Sequence, residues 1–388
     1  MKPYIRRHAN PDRTEVRNSQ NKWLAMLTDG AYTVTLTGPR RTFAEPAAAD
    51  SVTHATWVRT LPRPFDGNVD MTWLKHALKA NEKRFPDVLA IAMQYIARKP
   101  AIFEGTLQIA GDAAYGPLKN GEREEGSDFN DYLGIKWVYP DQVDEPEQRQ
   151  LHCLDCSGFV RMVWGYRHHL LDRNYADTVP LALKPVKSHG AIPRRSFEIY
   201  AAAPGVIIIP NKQVQVKDLS PIGVGDLVFF DADESDGTRL DHVGMYLGLD
   251  AGDHHRFISS RKGANGPTLG DYKGKSILDG TGLYAFRAVR RLKRVGSVSS
   301  CKATFGSTSK RTRAGFQRDI LQPRNPSLLR RLPVDFFHYT EIKNPLQRHI
   351  WRELLREKAF LPGQDGGKIT YGKAGNADAR WADCVYER

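Results

Sequence analysis

The chain reads LDCSGFVRMVWGYRHH at residues 154–169 and places Cys156 immediately before a helical pattern. The apolar residues that share one face of this helix are Phe159, Val160, Val163 and Trp164. A thiol at a helix N-terminus meets unpaired backbone N–H groups and the positive end of the helix dipole, which lower its pKa. A free cysteine is more often a core residue than a catalytic one, but the flanking DCSG at 155–158 and the later DHVG at 241–244 favour a catalytic Cys156.

A second stretch, GDLVFFDADESDGTRLDHVGMYLG at residues 225–248, has the pattern of two strands around an acidic turn. His242 begins the second of these strands. A third strand, HRFISS at 255–260, follows a turn at Gly252 and Asp253. A helix followed by antiparallel strands predicts an α+β fold, in which the helix after the cysteine packs on a small antiparallel sheet.

These segments resemble the NlpC-type cysteine peptidases, papain-like enzymes that cut the stem peptides of bacterial cell wall. The resemblance rests on DCSGFV at 155–160, GDLVFF at 225–230 and DHVGMYLG at 241–248, which stand in the family's order. IPRRSF at 192–197 matches more weakly. The resemblance covers residues 106–294 and implies a papain-like core with an N-terminal lead-in and a basic C-terminal extension.

The resemblance implies that Cys156 is the nucleophile and that His242 is the general base that takes its proton. The family's third polar group, normally His, Asn or Gln, aligns with Ser259. A serine hydroxyl can orient an imidazole, but it stabilises imidazolium poorly because it is short and uncharged. His254 and His255 remain alternatives for this third position.

The resemblance also implies a substrate. Tyr115 and Asp155 match residues that hold the substrate's free N-terminus, and Ser157 belongs to the same substrate-binding site. The implied reaction is hydrolysis of an amide bond in a peptidoglycan stem peptide, between γ-D-glutamyl and a diamino acid, through an acyl-enzyme on sulfur. Backbone N–H groups around Cys156 would form the oxyanion hole. The family also includes amidases and acyl-transferring enzymes.

Cysteine and histidine spacing leaves further interpretations open. Cys153 and Cys156 form a CxxC pair, which by itself indicates redox chemistry or half of a zinc site. No second CxxC pair occurs, and the adjacent histidine pairs at 168–169 and 254–255 are more typical of exposed polar residues than of ligands. Neither a metal nor a cofactor is therefore predicted. Cys301 and Cys384 would form a disulfide in an oxidising compartment.

The net charge of +13 lies at the C-terminal end of the chain. Residues 1–286 contain 35 basic and 35 acidic side chains, whereas residues 287–388 contain 22 basic and 9 acidic ones. Such a tail indicates attraction to an anionic wall polymer, a nucleic acid or an anionic lipid, or simply a well-solvated surface. It motivates an alternative function, an inactive peptidase fold that serves as a binding module with a cationic tail.

Four parts are predicted along the chain. They are a flexible N-terminus at 1–22, an N-terminal lead-in domain at 23–105, the peptidase domain at 106–294, and a basic linker with a C-terminal extension at 295–388. Shorter patterns predict a strand at 31–37 and helices at 71–80, 85–99 and 346–360. Residues 112–155 carry eleven acidic and four basic side chains with loop-forming glycines and prolines, so they are expected to form a surface insertion that a cationic substrate would suit.

The sequence gives little evidence about location. No apolar run approaches the ~20 residues that a membrane helix needs. The basic N-terminus lacks the apolar segment of a signal peptide. A cell-wall substrate would require a secreted or wall-associated protein, so the location stays unknown. A monomer is expected.

Overall fold

The computed structural model of the chain describes residues 3–46, 48–139, 142–167, 180–185, 190–279, 285–292, 369–372 and 383–386. The chain divides into two compact units, residues 1–305 and 306–388. The first unit mixes short helices with antiparallel sheets, which confirms the α+β class. Among the described residues, no helix is long and apolar enough to cross a membrane.

The first unit begins with a five-stranded antiparallel sheet in which each strand pairs with the next along the chain. Its strands are β1 (Tyr4–His8), β2 (Arg13–Arg17), β3 (Trp23–Thr28), β4 (Thr33–Ala44) and β5 (Ser51–Thr60). The prediction of a flexible segment at 1–22 is wrong because β1 and β2 lie within it. Val16 in β2 is fully buried, and the full length of β2 is hydrogen-bonded between β1 and β3.

Two helices follow the sheet. They are α1 (Met71–Glu82) and α2 (Val88–Ala92). Helix α1 agrees with the predicted one, whereas the helix predicted over 85–99 ends early. The carbonyl of Tyr95 accepts a hydrogen bond from the N–H of Ala113 at 3.1 Å, so a contact with a distant segment replaces the helical ladder there.

The buried carboxylate of Asp87 joins α2 to the N-terminal sheet. It caps α2 by accepting from the N–H of Ala90 at 3.0 Å. It also accepts from the N–H of Val58 at 2.7 Å and from both terminal nitrogens of Arg41 at 2.6 Å. These donors offset the cost of burying the charge, and they fix the start of α2 against β4 and β5.

The N-terminal sheet shares a hydrophobic core with the segment that carries the cysteine. Phe43, Val52 and Val58 are buried in the same cluster as Phe159 and Met245. A ring nitrogen of His54 hydrogen-bonds the carbonyl of Leu247 at 2.9 Å. The lead-in and the segment 106–294 therefore lie within one compact unit.

The segment between residues 102 and 150 contains short strand pairs and one helix. These elements are β6 (Ile102–Glu104), β7 (Leu107–Ala110), β8 (Leu118–Lys119), β9 (Glu122–Arg123), α3 (Phe129–Leu133), β10 (Trp137–Val138), β11 (Val143–Asp144) and a 3-10 turn at Gln148–Gln150. The expectation of a surface insertion at 112–155 is wrong for its middle, because every residue of α3 is buried. Burial of acidic residues is possible there because Asp128 pairs with Arg161 and Asp131 closes a capping box.

The remaining elements of the first unit surround a six-stranded antiparallel sheet. They are α4 (Cys156–Arg161), a π-helical turn at Met162–Tyr166, α5 (Ser196–Ala202), β12 (Gly205–Ile209), β13 (Leu227–Phe230), a 3-10 turn at Glu234–Asp236, β14 (His242–Leu249), β15 (His255–Arg261), β16 (Gly266–Thr268) and β17 (Phe286–Leu292). The sheet order is β12-β17-β13-β14-β15-β16. The three predicted strands are confirmed as β13, β14 and β15, and His242 is the first residue of β14.

Helix α4 packs on β14 and β15 of this sheet. Val243, Met245 and Ile258 are fully buried in one cluster with Phe159 and Val160 of α4. The hydroxyl of Ser260 donates to the carbonyl of Leu154 at 2.5 Å. This packing brings the first residue of α4 to the start of β14.

The second unit is described only at β18 (Ile369–Gly372) and β19 (Asp383–Tyr386), which pair antiparallel. The predicted linker, the helix predicted at 346–360, Cys301 and the histidine pair at 168–169 lie outside the described residues. Cys384 lies on β19, and its proposed disulfide with Cys301 stays a prediction.

Candidate active site

The thiol of Cys156 lies against the backbone on both sides of His242. Cys156 is the first residue of α4, as the sequence predicted. Its S–H donates to the carbonyl of Asp241 at 3.8 Å, and the N–H of Val243 lies close enough to the sulfur to lower the pKa of the thiol. Asp241 and Val243 are the sequence neighbours of His242. The predicted nucleophile therefore lies against the segment that carries the predicted base.

One ring nitrogen of His242 is held by Ser259. Nε2 of His242 and the hydroxyl oxygen of Ser259 lie 3.0 Å apart and share a hydrogen bond, and Ser259 is fully buried. With Nε2 bound in this way, Nδ1 is the ring nitrogen left to exchange a proton. His242 as a whole residue is partly buried.

The two histidines considered for the third position lie elsewhere. His255 hydrogen-bonds the hydroxyl of Tyr246 at 2.8 Å, and His254 lies 3.3 Å from a carboxylate oxygen of Asp279. His255 begins β15, four residues before Ser259, which corresponds to about 13 Å along a strand. Of the three candidates, Ser259 is the one that the structure places against the His242 ring.

The expected low pKa of Cys156 is wrong for the protein without substrate. Burial raises the pKa of the thiol, and the negative charge of Asp155 raises it further, while the N–H of Val243 and the charge of Arg194 lower it by less. Cys156 is only 7% exposed. The helix N-terminus does not dominate because its positive end already meets the Asp155 carboxylate, so the resting cysteine is a neutral thiol.

The pKa of the His242 imidazole is shifted in the opposite direction, downwards. Burial lowers the pKa of His242 from 6.5 to about 4, and the guanidinium of Arg261 lowers it further, against an opposing effect of Asp155. A raised thiol pKa and a lowered imidazole pKa both favour the uncharged forms. The resting site is therefore a neutral thiol–imidazole pair rather than a thiolate–imidazolium ion pair.

Asp155 caps the helix that carries Cys156. Its carboxylate accepts five hydrogen bonds: from the N–H groups of Gly158 at 2.7 Å and Gly126 at 3.1 Å, from the Ser157 hydroxyl at 3.1 Å, and from Arg194 at 2.6 and 3.2 Å. Burial alone would raise the pKa of Asp155, but Arg194 and these donors lower it, so the carboxylate is ionised. Both oxygens of Asp155 therefore already accept hydrogen bonds from other groups of the protein.

Four charged residues form what we call the charge cluster, namely the buried Asp128, Asp155 and Arg161 and the partly buried Arg194. Arg194 lies 2.6 Å from Asp155 and 3.6 Å from Asp128, and Arg161 lies 2.9 Å from Asp128. Arg161 is fully buried, and its other nitrogens donate to the carbonyls at 182 and 192 and to the Tyr139 hydroxyl. The cluster ties α3, α4 and the segment before α5 together.

Gly158 allows this close approach. A side chain at position 158 would place its Cβ 2.2 Å from the carbonyl oxygen of Ser127, which itself accepts from the N–H of Asp155 at 3.0 Å. The glycine of the DCSG sequence is therefore needed so that α4 can lie against the chain before α3.

The other predicted substrate-binding residues have internal partners. Ser157 is buried, donates to Asp155 and accepts from Arg194 at 2.7 Å. Tyr115 is buried, and burial raises the pKa of its hydroxyl; the nearby charges of Cys156, Asp155 and Glu125 raise it further. Glu125 is exposed.

Sequence reasoning missed Arg194, Arg261 and Glu125 as members of the site. Arg194 could have been noticed, because it lies in IPRRSF at 192–197, which was part of the resemblance. The neighbouring residues in sequence, however, do not indicate that it pairs with Asp155. Cys153 and Cys156 are both free thiols, so the CxxC pair is not joined as a disulfide. Cys153 instead contacts the carbonyl of Leu151 at 3.7 Å.

We expect the Arg194→Met variant to lower the free energy of unfolding by about 3 kcal/mol, because it leaves the buried Asp155 carboxylate without its cation. Urea unfolding followed by tryptophan fluorescence measures this change. The matched control is Arg195→Met, which removes an exposed guanidinium at the next position and should change stability by about 0.5 kcal/mol or less. Equal stability of the two variants would contradict the role given to the charge cluster.

The low pKa of His242 predicts a pH dependence of stability. Between about pH 6.5 and about pH 4 the unfolded chain binds a proton at this imidazole and the folded chain does not. The free energy of unfolding should therefore fall as the pH decreases through this window, and His242→Gln should remove that part of the fall. His76→Gln, on the exposed face of α1, controls for loss of a histidine. If the free energy of unfolding depends on pH in the same way in the parent and in His242→Gln, the lowered pKa of His242 is refuted.

Comparison with known families identifies the central segment. The model of the NlpC/P60 family matches residues 145–270, about a third of the chain. The matched range includes Cys156, His242 and Ser259, leaves out Tyr115, and is narrower than the range 106–294 expected from the motifs. No curated protein matches the chain. Domains of this family are generally hydrolases that act on peptidoglycan.

The family expected from the three motifs is thereby confirmed for residues 145–270, which the NlpC/P60 family model matches.

Proposed function

We propose that the protein is a cysteine peptidase that hydrolyses an amide bond in peptidoglycan stem peptides. The observation that carries the proposal is the position of the Cys156 sulfur, which contacts the carbonyl of Asp241 and the N–H of Val243 while His242 between them is held by Ser259. A nucleophile, a base and a group that orients the base are the parts that acyl transfer requires.

In the proposed mechanism the proton moves during catalysis rather than before it. Nδ1 of His242 takes the thiol proton as sulfur attacks the substrate carbonyl, and the imidazolium then protonates the leaving amine. Water hydrolyses the acyl-enzyme with the same imidazole as base. Arg261 opposes the imidazolium and Asp155 favours it, so the charge on the ring is short-lived. The N–H of Cys156 at the start of α4 is the proposed oxyanion donor.

The proposed bond is the one between γ-D-glutamyl and a diamino acid, as in the family's endopeptidases. Such a substrate presents a free amine near the site. Asp155 was expected to bind this amine, yet its carboxylate already accepts five hydrogen bonds. We assign the amine to the exposed carboxylate of Glu125 with the hydroxyl of Tyr115, and we assign to Asp155 the task of holding α4.

A second candidate function is an inactive fold that binds anionic wall polymer or nucleic acid through its basic C-terminal extension. Ser259 favours it, because a neutral hydroxyl supports imidazolium poorly. The neutral resting pair favours it as well. An amidase or acyltransferase acting on another substrate would use the same residues as the peptidase.

The test is incubation of the protein with purified peptidoglycan and with free stem peptides, followed by mass spectrometry of new amine termini. We expect cleavage by the parent and a loss of at least about 10³-fold in Cys156→Ala, because no other group supplies the nucleophile. Cys153→Ala is the matched control, since it removes a buried free thiol three residues away and should retain activity. The site of the new amine names the bond.

Cleavage by Cys156→Ala at the parent's rate would overturn the thiol mechanism. Absence of cleavage by a folded parent on every wall substrate would favour the binding-module function. In that case binding to wall polymer or nucleic acid that weakens steeply with salt would be the expected property of the extension.

A further inference from the structure

Three aspartates converge in the loop that joins β13 to β14. One carboxylate oxygen from each of Asp231, Asp236 and Asp241 lies within 4.8 Å of the others. Two oxygens bound to one Ca²⁺ at about 2.4 Å each can be at most about 4.8 Å apart. The spacing therefore suits three ligands of a single cation.

Two oxygens of the cluster have no other partner. Asp231 is only 8% exposed, and its Oδ1 is buried with no hydrogen-bond partner among the described residues. Oδ1 of Asp236 is likewise buried and without a hydrogen bond in the described part of the chain. Burying a carboxylate oxygen without a donor is costly, and a bound cation removes that cost.

Nearby cations neutralise the cluster only in part. Arg287 lies 3.5 Å from Oδ2 of Asp231, and Arg239, which is half exposed, lies 3.8 Å from Oδ2 of Asp236. Both ion pairs engage the Oδ2 atom of the carboxylate, so they leave the Oδ1 atoms of Asp231 and Asp236 without a hydrogen bond among the described residues. Two guanidinium groups lie near three carboxylates, so they do not fully neutralise the negative charge of the cluster.

The third carboxylate is oriented by the backbone. Asp241 accepts from the N–H of Ala232 at 3.0 Å and from the N–H of Asp233 at 2.5 Å. Three carboxylates this close to one another repel, and a divalent cation between them would reverse that repulsion.

We propose that Asp231, Asp236 and Asp241 bind one divalent cation of the hard, oxygen-preferring class, with Ca²⁺ as its representative. An all-carboxylate donor set favours such ions over zinc, which takes nitrogen and sulfur ligands as well. Three protein ligands leave coordination positions for water, so the expected dissociation constant is about 10⁻⁴ M. No metal was predicted from the sequence, where only the cysteine and histidine spacings were considered as possible metal sites.

The position of the site gives it a structural consequence. Asp241 immediately precedes His242, and its carbonyl accepts the hydrogen bond from the Cys156 thiol. A cation that holds the Asp241 side chain therefore fixes the segment against which the thiol lies. The inference concerns binding and does not depend on the proposed peptidase activity.

The test uses the full chain, freed of metal with EDTA and then titrated with calcium chloride by isothermal calorimetry. We expect saturable binding by the parent and a rise in its melting temperature with calcium. Asp236→Asn should weaken binding by roughly tenfold or more, because it removes one of three charged ligands. Asp231→Asn should weaken it to a similar degree, and it provides a second variant should the first not fold.

The matched control is Asp233→Asn in the same loop. Asp233 caps the 3-10 turn by accepting from the N–H of Ser235 at 2.9 Å and is not part of the cluster. This variant should bind calcium as the parent does. No binding of calcium by the folded parent would overturn the proposal, as would binding by folded Asp236→Asn and Asp231→Asn that equals that of the parent.

Discussion

Asp155 lies buried at the start of α4 with its carboxylate ionised, and the guanidinium of Arg194 is the cation that makes this possible. The carboxylate caps the helix, hydrogen-bonds Ser157, and accepts from the chain before α3 through Gly126. Without Arg194, the carboxylate would be a buried charge without a counter-ion, and it would lose two of its five hydrogen bonds. The helix start, and with it the position of Cys156, depends on this ion pair.

The same carboxylate explains why the thiol is not activated in advance. A helix N-terminus lowers a cysteine pKa when its N–H groups and dipole act on the sulfur alone. Here the dipole also acts on Asp155, which adds a negative charge next to the sulfur, while burial disfavours the thiolate. His242 is held neutral by burial and by Arg261. A neutral pair protects a buried cysteine from side reactions, and it leaves the proton transfer to be driven by the substrate.

Local patterns predicted the local structure well. Cys156 at a helix start, His242 at the first position of a strand, and the three strands β13, β14 and β15 follow from short apolar patterns that act within a few residues. The errors arose where distant residues meet. Acidic residues near Asp128 look solvent-exposed in sequence, but Arg161, 33 residues away, makes their burial possible. Likewise, no local pattern shows that the N-terminal sheet shares a core with α4, or that Arg194 binds Asp155.

The resting site is a neutral thiol–imidazole pair, and the mechanism depends on this protonation state. The most direct test is the rate at which iodoacetamide alkylates Cys156 as a function of pH, with the modified peptide identified by mass spectrometry so that Cys153 is counted separately. For a neutral thiol we expect a rate that keeps rising through neutral pH and beyond pH 9.0, the ordinary pKa of a thiol. A rate that is already at its plateau at neutral pH would show a preformed thiolate and would rule out the neutral pair.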